Sequence, residues 1–300
     1  MTREERVLRT IRRESIDYLP SNIYFASPET KENLRKVMNF ETTKDLDDYL
    51  ENHLYITAMM DDIFRYRGDH EFLRKMEQTP FAKVDWEKGI LYDRWGVGFS
   101  IYTDGINMIH FPLKGKSNEE IDNYQVPDIH IPGNFDLAEE ELKKYSGDYL
   151  VVFSGYGGIF ERAMFLMDYE QLLILMAWEP KLCENLFDKI TEYKIEQAKM
   201  AVKMGFKIGH ACDDLGTQNG PLISKEMFRK YFKPRWKKVF EIFKSAGMPV
   251  MMHSCGNITE FLPDLIDIGL DVIEPVQPVM DFEFIKKEYG KYLTFWGGIS

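Results

Sequence analysis

The stretch Tyr149-Leu150-Val151-Val152-Phe153 opens the part of the chain in which strand and helix patterns alternate. It is a short apolar run rich in β-branched and aromatic residues, which is typical of a strand. Further strand-like runs follow, each separated from the next by a helical pattern, at residues 206–210, 249–252, 271–274 and 292–296. Strands joined by helical crossovers predict a parallel sheet, either open or closed into a barrel.

The remaining patterns favour a barrel over a nucleotide-binding fold. No Gly-x-Gly-x-x-Gly follows the first of these strands, and the sequence has no phosphate-cradling Lys motif. Helical patterns occupy residues 2–13, 30–37 and 43–59, and residues 21–25 are a further strand candidate, which brings the strands to six. We therefore expect an α/β fold, a single domain over residues 1–300 that forms a (β/α)8 TIM-type barrel lacking its last strands.

Residues 81–112 interrupt the alternation with short runs of aromatic and β-branched residues. The turn sequences Glu87-Lys88-Gly89 and Thr103-Asp104-Gly105 separate these runs. Such a pattern predicts an antiparallel insertion within the barrel domain.

The charge balance excludes several function classes. The chain has 49 acidic and 38 basic residues and a net charge of −11, which argues against nucleic acid or an anionic membrane as the main partner. Its apolar runs are far shorter than the ~20 residues of a membrane span, and the charged N-terminus does not resemble a signal peptide. Three cysteines are an odd, sparse set that suits a reducing compartment, so we expect a cytoplasmic protein. A homodimer is a candidate assembly.

Polar residues and glycines follow five of the predicted strands. In a parallel barrel the ligands bind at the carboxyl ends of the strands, so these residues predict a common site. They are Ser154-Gly155-Tyr156-Gly157-Gly158, the run from His210 to Gln218, His253-Ser254-Cys255-Gly256, Glu274-Pro275-Val276-Gln277-Pro278, and Gly297-Gly298.

His253 and Cys255 are the candidate metal ligands. Residues two apart at the end of a strand point the same way, and imidazole and thiolate both bind zinc well. The alternative is a histidine at the edge of the core beside a buried cysteine. Cys212 is a third candidate ligand, although a small buried residue is the simpler interpretation.

Asp213 and Asp214 are adjacent carboxylates that would repel and desolvate each other if both were buried. At least one should therefore meet a cation, a hydrogen-bond donor or a helix N-terminus. Capping and a loop hydrogen bond to Gln218 would account for them structurally, whereas a metal ligand, a base or a substrate-binding carboxylate are the functional interpretations. Tyr156 is either a pocket wall or loop packing, and Gly297-Gly298 either admits a ligand close to the backbone or forms a turn.

Several of these segments together resemble the uroporphyrinogen decarboxylase superfamily: His253-Ser254-Cys255-Gly256-Asn257-Ile258, Glu274-Pro275-Val276-Gln277-Pro278 and Leu293-Thr294-Phe295-Trp296-Gly297-Gly298-Ile299. The likeness extends back through Asp213-Asp214-Leu215-Gly216-Thr217-Gln218 and covers most of residues 206–300. It implies a (β/α)8 barrel.

Two branches of that superfamily differ near the first strand. Porphyrinogen decarboxylases carry an Arg-rich segment there that serves the substrate carboxylates, and residues 19–29 contain no arginine. The His-x-Cys-Gly segment instead resembles the cobalamin-dependent methyltransferase branch, in which His, Cys and a later Cys bind zinc. The resemblance assigns His253 and Cys255 to zinc and places the third ligand after Ser300, unless Cys212, Asp213 or Asp214 replaces it.

The resemblance thus implies a zinc-dependent methyltransferase that moves a methyl group between a small substrate or thiol and a corrinoid (cobalamin) protein. The predicted catalytic residues are Asp213, Asp214 and Tyr156, and the predicted substrate-binding residues are Gln218, Gly155, Glu274, Gln277, Gly297 and Gly298. One alternative is a uroporphyrinogen III decarboxylase in which Asp213 and Tyr156 stabilise a protonated pyrrole. A second is a non-catalytic barrel that binds a small molecule or a corrinoid partner.

Overall fold

Six parallel strands and the helices between them form the main body of the protein in the computed structural model. The structure describes residues 1–25, 28–102 and 106–297, and of residues 28 and 29 it describes the backbone only. The strands of the described residues are β1 (Leu54–Thr57), β2 (Lys83–Asp85), β3 (Ile90–Tyr92), β4 (Gly98–Ser100), β5 (Met108–His110), β6 (Leu150–Phe153), β7 (Gly209–Cys212), β8 (Val250–His253), β9 (Val272–Val276) and β10 (Thr294–Gly297).

Helices cover these strands and fill the connections between them. They are α1 (Arg3–Ile11), α2 (Pro28–Val37), α3 (Thr43–Tyr49), α4 (His70–Met76), α5 (Asn118–Asp122), α6 (Asp136–Tyr145), α7 (Ile159–Met167), α8 (Tyr169–Trp178), α9 (Pro180–Met204), α10 (Lys225–Met227), α11 (Lys233–Ser245), α12 (Leu262–Asp267) and α13 (Phe282–Tyr289). Shorter turns of 3-10 helix span Met60–Tyr66 and Thr259–Phe261, and a π-helical turn spans Phe228–Phe232. Within the described ranges, no helix is both long and apolar enough to cross a membrane.

The parallel strands follow their order in the sequence. β1 pairs with β6, and β7, β8, β9 and β10 form a second parallel sheet in that order. This arrangement confirms the predicted α/β fold with parallel sheets. Between residues 1 and 297, leaving out the two undescribed gaps, no strand joins β10 back to β1, so a closed ring of strands is not seen in this part of the chain.

Side-chain alternation divides the parallel strands into an inner and an outer face. Leu150 and Val152 of β6 pack with Met251 and Val272 in one apolar cluster, which α1 covers with Ile11. Residues of the opposite parity, such as Val151 and Phe153, pack in the larger core with the surrounding helices. Because the side chains alternate with period two, polar residues two positions beyond the inner cluster emerge together at the carboxyl ends of the strands.

The predicted antiparallel segment contains a four-stranded sheet in the order β2-β3-β4-β5. Leu91 of this sheet and the nearby Ile101 pack with Ile63 and Leu73 in a separate small core. The predicted turn Thr103-Asp104-Gly105 lies outside the described residues.

The strand predicted at residues 21–25 is wrong, and the first parallel strand lies at β1 instead. Only an isolated bridge joins Ser21 to Asn52, because the side chains of Asn22 and Asn52 accept backbone N–H groups of the neighbouring segment that a ladder would otherwise use. The helix predicted over residues 43–59 correspondingly ends at Tyr49, and Leu54–Thr57 from its remainder form the strand that pairs with β6.

Candidate metal and substrate site

The carboxyl ends of the parallel strands, which we call the carboxyl face, gather most of the polar residues predicted for the site. Ile208, Met251 and Val272 belong to the inner cluster. Counting onward from them in steps of two leads to the residues that emerge on this face, namely His210, Cys212, Asp214, His253, Cys255 and Glu274.

Asp214, His253 and Cys255 form what we call the metal-donor group. Their ligand atoms all lie within 4.8 Å of one another. Nε2 of His253 is 3.4 Å from Oδ1 of Asp214 and 3.4 Å from Sγ of Cys255. The structure thus brings together the histidine and cysteine that the sequence predicts and adds one of the two adjacent aspartates.

Close packing of two loops holds this group together. A Cβ atom on Gly256, whose φ is +80°, would lie only 2.3 Å from the carbonyl carbon of Gly216. The loops after β7 and β8 can therefore meet backbone to backbone only because these residues are glycines. The contact allows the amide of Cys255 to donate a 2.7 Å hydrogen bond to Asp214.

Glu274 orients the histidine from the next strand. His253 and Glu274 are directly opposite in the register of β8 and β9, and Nδ1 of His253 is 2.9 Å from Oε1 of Glu274. The same carboxylate oxygen lies 3.6 Å from Nε2 of His210. Since Nδ1 of His210 accepts the N–H of Gly155 at 2.9 Å, the ring proton of His210 is assigned to Nε2, facing Glu274.

The electrostatics of this group favour a positive charge at His253. Burial alone would lower the pKa of His253, but the hydrogen bonds with Asp214, Cys255 and Glu274 outweigh it and raise the pKa above its usual range. For Glu274, burial acts to raise the pKa. The hydrogen bonds of Glu274 with His210 and His253 outweigh burial and lower its pKa to about 2. Two ionised carboxylates therefore flank one imidazole, an environment suited to a proton or a metal cation.

The two adjacent aspartates take different positions. Asp213 is fully buried and accepts the backbone N–H groups of Phe160 and Glu161, at 3.2 and 2.8 Å, and the indole N–H of Trp236 at 2.9 Å. Burial raises the pKa of Asp213 to about 6, although these hydrogen bonds oppose the shift. Asp213 thus fixes the first turn of α7, whereas Asp214 turns toward His253 and Cys255.

Cys212 lies outside that group, beside a carboxyl group that the sequence patterns did not indicate. Its Sγ is 3.7 Å from Oε2 of Glu161, and burial raises the pKa of the thiol well above its usual range. Burial also raises the pKa of Glu161, to about 8, with a further contribution from Asp214 and Asp213. The only sequence signal for Glu161 is its place three residues after Gly158 at the start of a helix, a spacing typical of capping.

Side chains from α9 hold the loop between β6 and α7. Lys194 donates to the carbonyl groups of Gly155 and Tyr156, at 3.1 and 2.7 Å, and Gln197 donates to that of Ser154 at 2.8 Å. A Cβ on Gly155 would lie 2.2 Å from the carbonyl oxygen of His210, so β6 and β7 approach each other closely here. Sequence reasoning missed Lys194 and Gln197, because both lie within a long helix with no pattern that marks them.

The other predicted residues are placed as follows. Tyr156 is half-buried and packs against Phe64, with ring centroids 4.5 Å apart. Gln277 accepts the N–H of Gly256 at 2.6 Å, and Gln218 is exposed on the loop after β7. Gly297 ends β10 with a φ of +120°, and Gly298 lies outside the described residues.

Comparisons with known proteins agree with this architecture. A protein named uroporphyrinogen decarboxylase from Myxococcus xanthus is 28% identical over 172 residues, which are 55% of this chain and 48% of that protein, so the match spans about half of its length. A protein of the same name from Bacillus anthracis is 23% identical over 279 residues, 91% of this chain and 74% of that protein. The solved structure of a methyltransferase from Methanosarcina mazei superposes with a TM-score of 0.57 at 16% identity, over 92% of this chain and 76% of that one, and so shows a shared fold.

A family model described as uroporphyrinogen decarboxylase (URO-D) matches residues 89–300, which include the antiparallel sheet from β3 onward, the carboxyl ends of β6 to β10 and the metal-donor group. That match covers well over half of the sequence. The chain therefore belongs to the uroporphyrinogen decarboxylase family.

Proposed function

We propose that this protein is a zinc-dependent methyltransferase that moves a methyl group between a small substrate or thiol and a corrinoid protein. The observation that carries the proposal is the metal-donor group at the carboxyl face. The shared fold with a methyltransferase from Methanosarcina mazei supports the same branch of the family.

The donor set fits zinc. An imidazole nitrogen, a thiol sulfur and a carboxylate oxygen are zinc's preferred donor types, and catalytic zinc sites combine three protein ligands with one open position. Asp214 would be the third ligand beside His253 and Cys255. It is one of the three residues that the sequence analysis named as replacements for the later cysteine. Zinc bound to these three residues would hold a thiol substrate as the thiolate, the nucleophilic form that accepts a methyl group.

The residues around the donors have distinct tasks in this proposal. Glu274 holds Nδ1 of His253, so that Nε2 faces Asp214 and Cys255. A carboxylate partner of this kind fixes the tautomer and raises the basicity of a metal-binding histidine. Asp213 acts indirectly, because it holds the start of α7 beside the site, and the corrinoid protein would approach from the carboxyl face.

Metal analysis tests the proposal most directly. Protein purified without chelators should contain about one zinc per chain, as expected for a single three-ligand site. The variants His253→Ala and Cys255→Ala should lose the metal. They should also lose the transfer of a methyl group from methylcobalamin to a thiol, which is measured by the change in the corrinoid absorption spectrum. Folded wild-type protein that neither contains nor takes up zinc would contradict the proposal.

A second candidate function is decarboxylation of uroporphyrinogen III, which the names of the relatives from Myxococcus xanthus and Bacillus anthracis favour. It predicts conversion of uroporphyrinogen III to coproporphyrinogen by the purified protein. If neither this turnover nor methyl transfer occurs while a small ligand still binds, the protein is a non-catalytic binding barrel.

A further inference from the structure

A second polar cluster lies where β1 and β6 reach the carboxyl face. Arg65 belongs to the 3-10 turn after β1, and its Nη2 donates a 2.6 Å hydrogen bond to Oγ of Ser154, directly after β6. Its Nε is 3.9 Å from Oδ2 of Asp62, which is too far for a hydrogen bond. With respect to the described part of the chain, Nε of Arg65 and Oδ2 of Asp62 are buried atoms that lack a hydrogen-bond partner.

Such atoms are uncommon, because nearly all buried polar groups in folded proteins are paired. Two of them side by side, one donor and one acceptor, indicate that a bound molecule completes the pairing. Arg65 is well suited to this task, since Ser154 fixes one of its NH2 groups and 28% of the side chain is exposed, so the guanidinium is held in place at the edge of the cluster. A guanidinium fork matches the geometry of a carboxylate.

The charges around Asp62 favour an anionic ligand. Arg65, Lys194 and Arg162 all act electrostatically on Asp62. Arg162 is also paired with Asp93, at 3.2 Å. Three cations therefore face two carboxylates, and one positive charge is left over even when both carboxylates are ionised.

The carboxyl groups nearby do not cancel this surplus. Glu161 acts on Lys194, but burial raises its pKa to about 8, so it is mostly neutral at pH 7. Asp61, which also faces Asp62, is paired with Arg94 at 2.9 Å. Burial raises the pKa of Asp62, which disfavours its charged form. The metal-donor group has the opposite character, because Asp214 and Glu274 surround His253 with negative charge.

A chain of polar contacts connects the two clusters across the carboxyl face. Ser154 is followed by Gly155, whose N–H donates to His210, and His210 in turn faces Glu274, the partner of His253. Both clusters therefore border the same face, one positive and one negative. A small molecule with an anionic group at one end and a metal-seeking group at the other would match both.

We propose that Arg65 binds a carboxylate group of the substrate, and thereby directs the thiol or methylated end of that substrate toward Asp214, His253 and Cys255. The placement of the thiol or methylated end at the metal-donor group rests on the proposed function. The binding of the carboxylate by Arg65 does not. Phe64 and Tyr156, with ring centroids 4.5 Å apart, supply an apolar wall beside Arg65 for the connecting carbon atoms.

Matched pairs of probes test this site. Calorimetric titration of the zinc-loaded protein compares 3-mercaptopropionate with 3-mercaptopropionamide, which differ only in the charged group. A second pair, propionate and propionamide, lacks the thiol and is titrated into metal-free protein. The wild type should bind the carboxylate of each pair at least about tenfold more tightly, the ratio expected for one charge-assisted hydrogen bond.

Variants locate the preference. Arg65→Gln should abolish it, and Arg65→Lys should retain part of it, because lysine keeps the charge without the planar fork. Arg12→Gln removes an equal charge from the exposed end of α1 and should leave the preference unchanged. Circular dichroism checks that each variant is folded. If Arg65→Gln does not fold, the wild-type ratios and Arg65→Lys decide the question.

The outcomes separate the two proposals. Equal binding of both members of each pair by the wild type, or an intact preference in folded Arg65→Gln, overturns the anion site. A carboxylate preference that depends on Arg65, in a protein that takes up no zinc, supports the anion site and contradicts the proposed methyltransferase. Zinc-dependent binding of both thiols without a preference for the carboxylate supports the zinc site of the proposed methyltransferase and contradicts the anion site.

Discussion

Oε1 of Glu274 lies 2.9 Å from Nδ1 of His253, and the two residues are direct partners in the parallel register of β8 and β9. The contact turns Nε2 of the histidine toward Asp214 and Cys255. Glu274 was predicted from the sequence to bind substrate. In the structure its side chain is directed at histidines, which is the position of a residue that orients a ligand.

Replacing Glu274 with glutamine should weaken zinc binding without abolishing it. The amide is neutral and can present its NH2 to Nδ1, so both the tautomer and the basicity of His253 change. Loss of such a partner typically costs about 10- to 100-fold in metal affinity. Competition with a chromophoric chelator measures the change, and Glu283→Gln, an exposed substitution on α13, is the matched control. Equal affinities for the wild type and Glu274→Gln would show that Glu274 does not support the metal.

The adjacent aspartates should respond differently to the same substitution. Asp214→Asn alters a residue that would bind zinc directly. It should therefore reduce zinc affinity by at least the about 10- to 100-fold expected when a residue that only supports a ligand, such as Glu274, is replaced. Asp213→Asn should keep the zinc but lower the free energy of unfolding by about 1–3 kcal/mol, since its amide cannot satisfy all three buried donors.

Zinc content and urea denaturation of the two aspartate variants provide the comparison. If Asp213→Asn loses zinc and Asp214→Asn does not, the assignment of the two residues is reversed.

Gly155→Ala should destabilise the protein, because its new methyl group would meet the carbonyl oxygen of His210 at 2.2 Å and force β6 away from β7. Overpacking of this kind costs about 1–3 kcal/mol. Gly68 offers a control, because it is exposed and a Cβ there meets no atom within 4 Å. Gly68→Ala should change the free energy of unfolding by less than about 0.5 kcal/mol. Similar unfolding curves for both variants would argue against the close approach.

Asp48 should contribute to resistance against acid. Burial raises its pKa, but hydrogen bonds from Lys44, Tyr149 and Arg3 outweigh burial and bring the pKa from 3.8 to about 2. A carboxyl group whose pKa is lowered on folding stabilises the protein above its unfolded pKa, and this contribution disappears as the pH falls from about 4 to about 2.

The variant Asp48→Asn measures that contribution. Its free energy of unfolding should be lower than that of the wild type at neutral pH, and the difference should shrink through the acid range. Asp48 is more than a third exposed, so screening limits the pairwise effect to about 1 kcal/mol. A difference that is independent of pH would show that the ion pairs do not cause it.

Local patterns in the sequence determined the alternation of strands and helices from residue 149 onward and the antiparallel segment before it. They also placed His253 and Cys255 on one side of a strand end, since side-chain direction follows from position along a single strand. These features depend on neighbouring residues alone. For the same reason the list of polar strand ends could be written without knowing the fold in detail.

The tertiary structure decided which segment is the first strand and which polar residues meet. Residues 21–25 and β1 both have strand-like composition, and pairing with β6 selects the second. Asp214 meets the amide of Cys255 across 41 positions, and Arg65 meets Ser154 across 89. Contacts over such distances depend on how strands stack and where loops pass each other, and the period of a local pattern contains no information about either.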